Sequence, residues 1–235
     1  MMMADDLLTY GLDSETRVQA QMLCRKPGLA GLRFCGNLPS HMPRHIWREL
    51  LPVVHRARPN PAGWQLCLAT AWTLSSSTVV ASVQGDERLL RAYFEMANFS
   101  RLRLPYLRRV INEQPRERVY YRGGQGSADE LARGYSWTAH LDEAAHYAHD
   151  RPVRPGPPVI IRRHVRADEV ALQLRGPAGG ETVVLDHGYD SIVEISPAER
   201  KRLAKRWLQR ADRCQRWGAD VLSVPEDVLL EGWTP

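Results

Sequence analysis

The chain has 235 residues, 43% of them hydrophobic and 25% charged, with a formal net charge of +5. That is the profile of a soluble globular chain with apolar material for a real core, sized for one large domain or a catalytic core with a helical companion. No apolar run reaches the roughly 20 residues that a membrane-spanning helix requires, and the mild basic excess permits contact with nucleic acid or an acidic partner without demanding either.

The first residues, Met1 to Asp13, carry early acids at Asp5 and Asp6 and no basic segment, so a secretory leader of the usual kind is not expected. Cys24, Cys35, Cys67 and Cys214 form no close Cys-x-x-Cys pair, so neither a zinc site nor a redox motif is indicated. They read as reduced, packed thiols in a cytoplasmic setting.

Residues 1 to about 115 read as helical. Pro52 lies inside the apolar stretch Ile46 to Val54 and is expected to end or kink that helix. Pro59-Asn60-Pro61-Ala62-Gly63 is a breaker, and Trp64 to Leu74 is apolar nearly all round, as a buried helix is. His41 and His45, flanked by Pro39 and Pro43, read as loop residues. Asp86 is placed to cap a helix whose face is Leu89, Leu90, Tyr93, Phe94 and Ala97. Pro105 suits a first helical position, with Tyr106, Leu107, Val110 and Ile111 on one face.

From Arg118 the texture changes to short strands. Val119-Tyr120-Tyr121 reads as a strand, Gly123 to Gly126 as a turn, and Ala128 to Arg133 as a short helix ended by Gly134. Tyr135 to Thr138 is strand-like and Asp142 to His149 helical. A proline-rich loop follows, then strand candidates at 159–165, 170–174, 182–185 and 191–195. Helices first and strands later predict an α+β fold.

Three pieces of this second part carry chemistry together. Tyr121-Arg122-Gly123 puts an arginine at a strand end, Gly134-Tyr135-Ser136-Trp137-Thr138 puts Ser-x-Thr on a strand, and Gly179-Gly180-Glu181 opens a late strand with a glutamate. Ser136 and Thr138 are two apart and share a face, so Trp137 points the other way, into the core. A carboxylate such as Glu181 suits a transition state that gathers positive charge. An arginine such as Arg122 suits a phosphate through paired hydrogen bonds. A glycine such as Gly123 lets a ligand approach its backbone.

In this order the three motifs resemble the ADP-ribosyltransferase superfamily, in the branch with an Arg–Ser–Glu active site. The resemblance spans roughly residues 118 to 195 and is closest to small bacterial and phage members. It implies NAD⁺ as co-substrate, with Glu181, Arg122 and Ser136 catalytic and Arg122, Gly123, Ser136, Thr138 and Tyr147 lining the NAD⁺ site. Tyr147 would stack on the nicotinamide. It further implies transfer of ADP-ribose to a macromolecular target, a protein first of all, by an effector, toxin or phage-encoded modifier that acts in the cytoplasm or is delivered into a target cell. One departure bears on the acceptor. Many members that modify protein side chains have Glu or Gln two residues before the catalytic Glu, whereas this chain has Gly179. Nucleic acid, a small molecule or water therefore stay open as acceptors.

His140, His146 and His149 offer a metal reading, but without a third ligand of fitting spacing no metal is assigned. Ser196-Pro197-Ala198-Glu199 opens a last helix, with Gly218 as its expected stop. Within it Arg200, Lys201, Arg202, Lys205, Arg206, Arg210, Arg213 and Arg216 face only Glu199 and Asp212, while Leu203, Trp207, Ala211 and Cys214 form an apolar stripe. This reads as a docked helix with a solvated basic face. The rival reading is a platform for nucleic acid or an acidic partner, in a non-catalytic binding protein working through residues 197–217. Membrane binding is not expected, because the narrow stripe is needed for packing.

The organisation expected is thus a helical region over 1–115, an ADP-ribosyltransferase-like split β-core over 116–195, and a basic helix and tail over 196–235 packed at one edge. The N-terminal helices are expected to cover one sheet face and shape the acceptor side of the cleft.

Overall fold

The computed structural model describes residues 44–56, 61–103, 107–151, 155–175 and 180–221. Cys24, Cys35, His41, Pro105, Tyr106 and Gly179 lie outside them, as do the side chains of Arg213, Cys214 and Arg216. The chain divides into two compact units at Arg108/Arg109, and the long C-terminal helix belongs to the second.

The described part of the first unit is built of helices. Helix α1 (Arg44–Arg56) takes in His45 and runs through Pro52 without ending there. Proline removes one N–H from the ladder. The buried stripe of Trp47, Leu51 and Val54 outweighs that loss. Helix α2 (Pro61–Ser82) buries Trp64, Cys67, Leu68, Ala71 and Trp72, the apolar run that reads as a buried helix. Its backbone leaves helical geometry at Ser75, one residue past the expected end at Leu74, and then resumes. The hydroxyls of Ser75 and Thr78 bond each other there at 2.8 Å. Helix α3 (Glu87–Ala97) starts at Asp86, whose carboxylate accepts from the N–H groups of Arg88 and Leu89. Buried Gln65 closes the other end, its Nε2 donating to the carbonyls of Ala97 and Arg101 at 2.7 and 2.8 Å. A short turn, α4 (Leu107–Val110), leads out of this region.

The second unit is α+β. Its strands are β1 (Arg118–Gln125), β2 (Ser136–Thr138), β3 (Pro158–Val165), β4 (Val170–Gln173), β5 (Glu181–Val184) and β6 (Ser191–Ile192). Its helices are α5 (Ala128–Ala132), α6 (Leu141–His149) and α7 (Pro197–Val221). The six strands form one antiparallel sheet in the order β4-β5-β2-β1-β3-β6. β1 pairs with β3 along its whole length, from Arg118↔Val165 to Gln125↔Pro158. Gly123 and Gly124 are therefore strand residues and not the expected turn, which falls at Gly126 with φ of 115°.

Alternation along the strands sorts the core into two layers. Tyr120, Trp137, Ile161, Val165 and Val184 pack on one face with Ala132 of α5. On the other face Ile160 packs with Ala144, Ala145 and Ala148 of α6, and Leu203 of α7 joins them. The basic helix thus packs on α6. Trp207 stacks on His146 with ring centroids 4.9 Å apart, and Arg210 reaches within 3.1 Å of buried Asp142. Lys201, Arg202, Lys205, Arg206 and Leu208 are exposed, the solvated outer face of a docked helix. The helix continues past Gly218 to Val221. Among the described residues no helix is long and apolar enough to cross a membrane.

Candidate active site

Strand β2 is the centre of the site. Its three residues pair with β5 as Ser136↔Val183, Trp137↔Thr182 and Thr138↔Glu181. Trp137 is 2% exposed and lies in the core layer against α5, as alternation predicts. Ser136 and Thr138 therefore show their hydroxyls on the opposite face, beneath α6. Ser136 is half-buried and its Oγ donates to Oε1 of Glu181 in a short hydrogen bond.

Glu181 reaches that place because Gly180 turns the chain. Gly180 has φ of 73°, where a side chain is strained, and any Cβ there would run into the Leu174 carbonyl. The Leu174 N–H then bonds the Glu181 carbonyl at 2.8 Å, so Glu181 is fixed as the first residue of β5.

Arg122 meets the same strand by another route. It shares the face of its register partner Ile161, the face away from α6. The Tyr135 carbonyl accepts from Val184 on β5, so by alternation the Ser136 carbonyl points toward β1. There the strands pair at Tyr121↔Thr138, and Arg122 Nη1 donates to the Ser136 carbonyl next to that pair. Gly134 makes room, since a side chain at that position would occupy the guanidinium. The structure thus brings Arg122 to the main chain of Ser136, and the hydroxyl of Ser136 to Glu181.

Gly123 acquires a packing role. A Cβ on it would collide with the carbonyl of Ala144 in α6. Its missing side chain lets the helix lie close on β1, while its N–H and C=O stay in the plane of the sheet.

A second carboxylate, not singled out from the sequence, completes the group. Glu143 on α6 accepts a hydrogen bond from Thr138 Oγ1 at 2.6 Å. Burial pushes its carboxyl above the ordinary value; the Thr138 hydroxyl and Arg210 pull it down, and Glu181 and Asp142 push it up. Glu143 and Glu181 therefore feel each other. The sequence signal was present, because Thr138 and Glu143 lie five apart across a strand–helix turn, but only the rotation of α6 over the sheet selects Glu143.

Tyr147 stands one helical turn beyond Glu143, half-buried. Burial raises its phenol, and Glu143 and Glu181 add to the rise. Gln125 at the end of β1 donates to the carbonyls of Tyr147 and Ala148 at 2.8 and 2.9 Å, tying down this end of α6. Of the three histidines, His140 precedes α6 and is pulled below its ordinary value by burial first and then by Arg210. His146 is stacked on Trp207, and His149 is lowered by burial and then by Arg200. Among the described residues no three His, Cys, Asp or Glu side chains are grouped to hold a metal ion.

No protein-family model, no curated protein and no solved structure matches this chain.

Proposed function

We propose that this chain transfers the ADP-ribosyl group of NAD⁺ to a macromolecular acceptor, a protein in the first instance, with release of nicotinamide. One observation carries the reading. The arginine, serine and glutamate of three separate motifs converge on β2, Arg122 holding the Ser136 carbonyl and Ser136 holding the Glu181 carboxylate.

In the reaction the bond between the ribose C1′ and the nicotinamide nitrogen breaks. The electron pair leaves with the nicotinamide ring and positive charge builds on C1′. Glu181 lies against that charge and binds the adjacent ribose hydroxyl. Ser136 aims Glu181, so that little reorganisation is needed as the charge develops. Arg122 fixes the main chain of β2 through Nη1 from the other face of the sheet, and so acts on the carboxylate through Ser136. Gly123 presents main-chain polar groups to the nicotinamide amide, and Tyr147 an aromatic face to its ring. Thr138 lines the same face. NAD⁺ is a co-substrate here, and the chemistry calls for no metal ligand from these residues. An effector, toxin or phage-encoded modifier is the setting the resemblance implies.

The test is incubation of the purified chain with labelled NAD⁺ and cell lysate beside the Glu181→Ala variant. The reading expects a labelled band that the variant loses. Nicotinamide release without a band moves the acceptor to water, nucleic acid or a small molecule. Intact NAD⁺ ends the reading and leaves the exposed basic face of α7 as the working surface.

A further inference from the structure

Ser136 and Thr138 present two hydroxyls to one face, and each holds a different carboxylate: Ser136 holds Glu181 from β5, and Thr138 holds Glu143 from α6. Thr138 and Glu181 are direct register partners. Side chains in that relation stand about 5 Å apart at Cβ. Both carboxylates are therefore held by hydroxyls on one face of one short strand, yet in different surroundings. Glu181 opens a strand and takes the serine hydroxyl. Glu143 lies under the helix layer, facing Thr138 from β2, Glu181 from β5 and Arg210 from α7, with Asp142 and Tyr147 on its own helix.

Transfer chemistry gives two such groups different tasks. One must stay ionised beside the ribosyl cation. The nucleophile that bonds to C1′ also carries a proton, which must go to a base that is not neutralising the cation. Paired acids in unlike environments divide their roles in this way. Position 179 is glycine and offers no carboxylate for the second task.

We propose that Glu143 is the acceptor-side base, taking the proton of the attacking N–H or O–H group as that group's lone pair bonds to C1′. Glu181 meanwhile stabilises the cation. This assignment rests on the ADP-ribosyl-transfer reading. The balance closes without a further reactant: the C1′–nicotinamide bond breaks with its electron pair on nicotinamide, the C1′–acceptor bond forms, and the proton moves to the Glu143 carboxylate. Thr138 is a positioning residue, orienting Glu143 through Oγ1. Burial of Glu143 is in keeping with the task, since a carboxyl raised toward neutrality is a stronger base than an exposed one.

The experiment uses the full chain with NAD⁺, water as the acceptor, and nicotinamide release followed from acid to mildly alkaline pH. Wild type should lose rate as pH falls, because Glu143 must be unprotonated to act. Glu143→Gln keeps the shape and can still accept from Thr138. It should lower kcat by about 100-fold, leave KM for NAD⁺ nearly unchanged, and alter the acid limb, since only Glu181 must then stay ionised. Thr138→Val removes a hydrogen bond that lowers the Glu143 pKa. Its acid limb should therefore move to higher pH. Glu143→Asp should recover part of the rate. A Glu143→Gln variant with wild-type kcat and an intact acid limb overturns the assignment, as does one whose defect lies in KM alone. Wild type that releases no nicotinamide, with cell lysate added as well as with water alone, overturns the transferase reading itself, and this inference with it.

Discussion

Ser136 is joined to the rest of the site through two different parts of itself. Its main-chain carbonyl is taken by Arg122 and its hydroxyl by Glu181, so one residue transmits the position of β1 to the carboxylate on β5. Removing the hydroxyl leaves the strand pairing intact and frees only the carboxylate's orientation. Ser136→Ala should therefore lower kcat for nicotinamide release by roughly 10- to 100-fold, the size of loss that follows from a misplaced reacting group. KM for NAD⁺ should change little, because the Arg122 contact is to the main chain. A variant with wild-type kcat would take Ser136 out of the mechanism. A variant that fails in KM alone would make its role one of binding. This residue was legible from the sequence because a strand's two-residue period is enough to put Ser136 and Thr138 on one face and Trp137 in the core. Glu143 was not singled out, because its five-residue spacing from Thr138 points to a contact only once the rotation of α6 over the sheet is known.

Helix α6 is held against the sheet by what β1 lacks. The Gly123 Cα lies against the Ala144 carbonyl, whereas the neighbouring Gly124 has its side-chain space limited by the tip of Leu131. A methyl added to each glycine meets a different obstacle. At Gly123 it meets backbone, and α6 must move as a body. At Gly124 it meets the end of a side chain that can rotate away. Gly123→Ala should thus cost about 1–3 kcal/mol or more, in the range of an overpacked core, and Gly124→Ala distinctly less. Denaturant unfolding of the two variants against wild type measures this, and a larger cost at Gly124 would refute the packing role. The same glycines show why local reading goes astray here. Gly123-Gly124-Gln125-Gly126 has the composition of a turn, yet the eight-residue register with β3 carries the strand through Gln125. Long-range pairing overrides propensity, whose whole range is about 1 kcal/mol per residue. Pro52 and Gly218 repeat the lesson in helices, where neighbours that favour the helix carry it past a poor residue. Caps, by contrast, were readable at Asp86 and Ser196, because a cap is a bond between residues two or three apart.

For the molecule as a whole, the decisive feature is that two core clusters, one on each face of the sheet, lie within the second unit. Every residue of the two core clusters falls between Tyr120 and Leu203, inside the unit that runs from Arg109 to Val221. The groups assigned to the chemistry, Arg122, Ser136, Thr138, Glu143 and Glu181, fall there too. A segment that carries a core of its own is of the kind that folds alone. The fragment 109–221 should therefore fold cooperatively when expressed alone, with a sharp thermal transition, and should release nicotinamide at a rate comparable to the full chain. Its basic helix is retained, including Arg210, whose charge bears on both Asp142 and Glu143. If the helices of the first unit serve the acceptor, as the sequence reading expects, the fragment will hydrolyse NAD⁺ yet fail to label the macromolecular target. Labelling by the fragment would move acceptor recognition onto the sheet unit and its exposed basic face. A fragment that stays unfolded would show that the two units depend on each other for stability, and that the division at Arg108 is not one of independent folding.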